Sequence, residues 1–375
     1  MRRNQVILAV AGVLLISLTF TACSSGLLNT LFPVGQSTAI GKFVYTANRN
    51  SGNASAYLIN ASSGVLTPVA GSPFVVGGGP IGVAVSPSGK FLFEIEDFGE
   101  IYSYTINATT GVPTQVTGSP FDAGNSARSV AVDPSGKFVY ITIVASDTVA
   151  AFSINATSGA LTLVPGSPFA SGDGPSGLAI DPTGKFLYVA NENSGDITAY
   201  TINATSGALT PVAGSPFASG DILTGAAVDP TGKFLFVADD ENSDVYAYTI
   251  NATSGALTPV TGSPFNSSGG AFAVAVDPLG KFVYVATGGP SVNAFTINTT
   301  SGALTLVTGS PFAAGFNTRA AAVDPSGKFL YVANAGSANV SVFTINTASG
   351  ALTPVAGSPF TAGNNPSSIA VARQQ

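Results

Sequence analysis

Gly184-Lys-Phe-Leu-Tyr-Val-Ala-Asn191, followed by Ile197 to Asn203 and then Ala204-Thr-Ser-Gly-Ala-Leu-Thr210, is one copy of a unit that the chain writes seven times. The tripeptide Gly-Lys-Phe begins at Gly41, Gly89, Gly136, Gly184, Gly232, Gly280 and Gly327, a period of 47 to 48 residues. Gly-Ser-Pro-Phe keeps the same beat, with Gly at 71, 118, 166, 214, 262, 309 and 357. A fixed period of this length, made of short β-like runs, predicts a propeller. The length of 375 residues would otherwise suggest two or three domains, but an unbroken repeat argues for one closed ring.

Within the fourth unit the runs Gly177–Ile180, Lys185–Asn191, Ile197–Asn203 and Ala208–Val212 read as four strands, a to d. Asp181-Pro-Thr-Gly184 and Asn203 to Gly207 supply turn residues between a and b and between c and d. Six of the seven Asn residues opening the c–d turn form Asn-x-Ser/Thr and Asn346 does not; the periodicity assigns all of them to the turn. The fold class is therefore all-β, a seven-bladed β-propeller with four antiparallel strands per blade. Because the repeat enters at Gly41 in strand b and finishes at Ser368–Val371 in strand a, the C-terminal strand should join the first blade and close the ring.

Antiparallel strands put the a–b and c–d turns on one rim and the b–c and d–a loops on the other. The first set of turns is nearly copied from unit to unit, whereas the second varies in length and charge. Uniform turns need only a folding explanation; variable loops on a rigid frame are where a ligand is read. Most aromatics recur at four repeat positions, as Phe186, Tyr188, Tyr200 and Phe217 do, and belong to the core. The third position of strand a is always Ala (84, 131, 179, 227, 275, 322 and 370), as crowding at the ring's axis would require.

Arg2 and Arg3, the apolar run from Val6 to Phe20 and Thr21-Ala22-Cys23 read as a secretory leader over residues 1–22, too short to span a membrane comfortably. With the lone cysteine at the cleavage site, the segment resembles a bacterial lipoprotein signal with Cys23 as the lipidated residue, residues 23–40 as a tether and residues 41–375 as the propeller. The expectation is a monomer in the cell envelope, anchored on the periplasmic or outer-membrane side. One cysteine allows no internal disulfide, so ring closure must supply stability. The net charge of −6, more negative once the leader is lost, argues against a nucleic-acid partner. With no histidine in the chain, a His base, a His metal ligand and a Ser-His-acid triad are excluded.

Units such as Gly184 to Asn191 with Thr-Ser-Gly-Ala-Leu-Thr resemble the lactonase-type seven-bladed propellers, among them 6-phosphogluconolactonase and carboxymuconate-cyclising relatives, and the Tyr-Val-Thr-Asn repeat proteins of cell surfaces. The resemblance covers nearly all of residues 41–372. It implies an Arg-His pair opening an inner strand, a His before Pro in the next turn and a Glu after Asn closing strand b. Arg128 and Arg319 match the arginine, but Ser129 and Ala320 replace its His neighbour, and Asp133 and Asp324 replace the His before Pro. Glu192 matches the glutamate, in a unit with Ser176 at the arginine position.

Apart from the repeat lysines and the terminal arginines, the cations are Arg49, Arg128 and Arg319, all on the variable rim, where they could grip an anion. Acids gather in two b–c loops, Glu94, Glu96, Asp97 and Glu100 in the second unit and Asp239, Asp240, Glu241 and Asp244 in the fifth. The spacing is not that of an EF-hand, so these read as solvated surface, with calcium at either cluster as the alternative and no cofactor favoured. Phe98, Phe272 and Phe316 fall outside the repeat register in variable loops and could stack on a ring ligand. The favoured reading is a module binding a small molecule or protein on the variable rim; the alternatives are a lactonase with Glu192 or a rim aspartate as base and Arg128 or Arg319 as anion clamp, and a structural cell-surface repeat protein. Arginine and carboxylate within hydrogen-bond reach in one pocket would favour the enzyme, and arginines scattered round the rim would favour the others.

Overall fold

Strand b of each unit is its most apolar run, and it is buried on both faces: Phe186–Asn191 and its counterparts are buried along their whole length. The computed structural model describes residues 41–373; the segments expected to be a leader and a tether, with Cys23, lie outside the described residues. Seven antiparallel sheets result, each in the order a-b-c-d. Blade 4 is typical, with strands a (Pro175–Ile180), b (Phe186–Asn191) and c (Asp196–Ile202).

Strand d differs from the expectation of one run. It is split into Leu209–Pro211 and Phe217–Ala218, which pair with opposite ends of strand c. Gly-Ser-Pro-Phe forms the break, with a cis Ser-Pro bond in every copy. The break withdraws a ladder partner from the middle of strand c, and the serine replaces it: Ser215 Oγ accepts the Ala199 N–H at 2.9 Å. The same bond, at 2.9 to 3.0 Å, recurs in the other six blades.

The ring closes as the order of the ends predicts. Pro366–Arg373 pairs with strand b of blade 1, Gly41–Asn48, and becomes that blade's strand a. The core lies in seven seams, each drawing side chains from two neighbouring blades. No blade can bury its apolar set alone, so stability belongs to the ring. The repeated alanine of strand a faces the second aromatic of strand b in register, as Ala179 faces Tyr188 and Ala370 faces Tyr45. A small side chain on the crowded inner strand leaves room for the ring beside it.

The uniform rim is a structural latch. Phe138 packs under Gly207 in the c–d turn of the next blade, where a Cβ would come within 2.4 Å of the ring, and Tyr140 donates to the Gly207 carbonyl at 2.9 Å. Gly207 also has φ of +76°, so both space and conformation require glycine there.

Candidate active site

The strand-a starts of all seven blades converge on the variable rim, and there they enclose a cavity of about 480 Å³. Two of the three candidate arginines sit on β-bulges. In blade 3 the register steps from Ala127 opposite Ile143 to Val130 opposite Ile141, leaving Arg128 and Ser129 opposite Thr142 alone. In blade 7 it steps from Thr318 to Ala320, and Arg319 is the extra residue. A bulge re-aims the side chain it carries, here toward the axis. Arg49 arrives differently, from a 3₁₀ turn after strand b of blade 1, with its N–H held by the Asn365 carbonyl at 2.9 Å.

All three arginines line this one cavity. Arg49 forms an ion pair with Asp97 of blade 2. Arg128 Nη2 stands 3.3 Å from Glu192 Oε2 of blade 4. Arg319 has no carboxylate at ion-pair distance among the described residues; its Nε donates to Asn317 Oδ1 at 2.8 Å and its guanidinium lies 4.2 Å from the centre of the Phe272 ring. Burial lowers the Arg319 pKa and Asp240 opposes the shift. The Asp240 pKa is raised by burial, with Arg319 opposing.

The wall between the charges is hydroxyl and backbone. Ser176 Oγ donates to the Thr224 carbonyl at 3.3 Å, Thr224 Oγ1 to the Ala271 carbonyl at 3.2 Å and Ser367 Oγ to the Ile81 carbonyl at 3.0 Å, tying successive strand-a starts together. A Cβ on Gly177 would come within 2.7 Å of the Thr224 carbonyl oxygen, so blades 4 and 5 approach backbone to backbone.

Of the other candidates, Phe272 is in the cavity wall, while Phe98 and Phe316 stand exposed on the rim outside it. Asp239 is fully buried and accepts from the Asp221 N–H at 3.0 Å and from Asn242, so it ties two loops together; Asp244 meets Asn266 at 3.4 Å. Glu241 remains exposed. Among the described residues no group of three or more acidic, histidine or cysteine side chains is arranged to hold a metal ion.

The surface reading of Glu94 and Glu96 is corrected, as is that of Asp239, which ends strand b of blade 5 and is buried. Strand b of blade 2 runs to Glu96, so both glutamates lie in the strand, buried in the seam with blade 1. Among the described residues, both Glu94 oxygens and Glu96 Oε1 are without a hydrogen-bond partner. Sequence reasoning also missed Asn317 and the pairing role of Asp97. Asn317 holds a left-handed backbone (φ 58°), for which Asn in the short run Phe316-Asn-Thr was a usable signal.

A sequence profile described as lactonase, 7-bladed beta-propeller, matches residues 112–221 and 260–370, more than half the chain. A search of curated proteins gave no match. Among solved structures, a Bacteroides fragilis protein provisionally assigned as a 6-phosphogluconolactonase superposes with a TM-score of 0.77 at 19% identity, over 91% of this chain and 99% of its own. The periplasmic gluconolactonase of Pseudomonas aeruginosa gives 0.75 at 17% identity, over 88% and 98%. Hydrazine synthase of Kuenenia stuttgartiensis gives 0.60 at 18%, over 84% and 99%. At such identities the likeness shows the fold alone.

Proposed function

The chain belongs to the lactonase family of seven-bladed β-propellers, and from that premise we propose that it hydrolyses a lactone at the channel mouth. One observation carries this reading: arginine and carboxylate meet within hydrogen-bond reach in a single cavity wall, as Arg49 and Asp97 do, and Arg128 of the same wall reaches Glu192 beside it. About 480 Å³ falls within the range of roughly 300–1,000 Å³ usual for small-molecule sites.

In this reading water adds to the ring carbonyl carbon and Glu192 takes its proton. The carbonyl π electrons move to oxygen, and Arg319 holds the resulting charge. The ring C–O bond then breaks, and the leaving alkoxide receives the proton from Glu192 to give the open hydroxy acid. Arg128 orients Glu192, while Phe272 and Asn317 hold Arg319 so that little reorganisation is needed as charge develops. The step uses no histidine and no cofactor.

The test is hydrolysis of a panel of γ- and δ-lactones by the purified protein. Arg319→Ala should lower kcat by about 10²-fold or more, and Glu192→Gln by about 10²- to 10⁴-fold. No turnover of any lactone, or turnover indifferent to both substitutions, would remove the reading. The binding-module reading keeps one observation of its own, the exposed Phe98 and Phe316 beside the mouth. Lactone turnover unchanged by Phe98→Ser and Phe316→Ser would leave those rings without a part in hydrolysis.

A further inference from the structure

Three arginines in one cavity look like a site for an anion, but the carboxylates around them point elsewhere. Asp97 pairs with Arg49 and Glu192 with Arg128, and Asp240 acts on Arg319. Each guanidinium of the cavity is thus offset by a carboxylate, Asp97 in the wall itself and Glu192 and Asp240 beside it. The wider molecule is polarised in the same sense. The seven Gly-Lys lysines and Arg373 lie on the uniform rim, where Asp133, Asp181, Asp229, Asp277 and Asp324 are the acids. Apart from Glu94, buried in mid-strand, the other acids of the ring lie in or next to the b–c and d–a loops of the cavity-bearing rim, against Arg49, Arg128 and Arg319 alone. A rim of one sign depletes ligands of the same sign before any contact forms.

We propose that the site takes an uncharged, polyhydroxylated lactone and discriminates against its phosphorylated counterpart. Paired ions present donors and acceptors side by side, which suits the hydroxyl groups of a neutral sugar ring. A phosphate dianion at Arg49 or Arg128 would have to displace Asp97 or Glu192 from an existing pair and leave that carboxylate without its partner, and one at Arg319 would face the charge of Asp240. The single negative charge that a neutral lactone develops arises only during reaction. Arg319, the arginine without a direct ion pair, is available for it.

This inference rests on the lactonase reading for its chemistry, so the experiment separates recognition from turnover. Binding of glucono-δ-lactam and of its 6-phosphate to the full chain is measured by calorimetry at low and high salt, and hydrolysis of the corresponding lactones is followed in parallel. The neutral lactam should bind about tenfold tighter or more, with little response to salt, and the phosphate should gain affinity as salt screens the rim. Asp97→Asn should raise affinity for the phosphate by about fivefold, the equivalent of removing one opposing charge at a partly exposed site. Tighter binding of the phosphate, affinity for it that falls with salt, or no binding of either lactam overturns the inference. Binding of the neutral lactam without turnover of its lactone overturns the lactonase reading and leaves the inference about recognition standing.

Discussion

Glu94 occupies the position held by Ile141, Val189, Val237, Val285 and Val332 in other blades, and it carries a carboxyl group into an apolar seam. Burial, and secondarily Glu96, raise its pKa well above the usual carboxylate range. Glu96 is raised by burial and Glu100 beside it, and Tyr102 faces the same group, so no cation offsets the shift. A raised folded-state pKa means that the folded form holds the proton more firmly than the unfolded chain does. Stability is therefore complete below the unfolded value and falls as pH rises through the folded one. Glu94→Val should stabilise the protein by about 1–3 kcal/mol, the cost of an unpaired buried polar group, with a gain that grows from mildly acidic to alkaline pH. Denaturant unfolding across pH checks this, and a gain that shrinks with pH would refute it. The sequence placed Glu94 among loop acids because Glu96, Asp97 and Glu100 follow closely; only counting from Gly89 puts it in strand b.

Among the elements, strand b was legible because its Gly-Lys-Phe start recurs without variation and a mostly apolar run follows it in each copy. Strand d was not, because a break filled by a side-chain hydroxyl leaves no hydrophobic period to follow. Its mark was Gly-Ser-Pro-Phe, read as a register sign and core position while the work of its serine stayed hidden. Ser215→Ala should strand the Ala199 N–H and cost about 1–3 kcal/mol. Ser215→Thr keeps the hydroxyl and should recover part of that loss if the break admits a methyl group. Chemical denaturation with an unchanged slope measures both, and an alanine variant as stable as wild type would show that water satisfies the amide. Bulges explain the rest of what the sequence hid. Arg128 and Arg319 were found as departures from the repeat, but their aim depends on one residue too many in strand a. The meeting of Arg128 with Glu192 depends further on two blades becoming neighbours.

On the scale of the whole molecule, the ring is held by one strand that arrives last. Removing the residues after Pro366 strips strand b of blade 1 of its inner partner, and with Ile369 and Ala372 it opens the seams to blades 7 and 2. The truncated chain should lose cooperative unfolding or melt roughly 10 °C or more below the intact one; an unchanged melting temperature would contradict the closure. The same strand pairing places Gly41 beside Arg373, both on the rim of copied turns and away from the cavity. A tag, bead or fusion partner joined at either point would hold the ring from behind and leave the mouth open. A linker bridging those two residues would also allow new ends to be cut in any blade, turning the wheel of the sequence without moving the site.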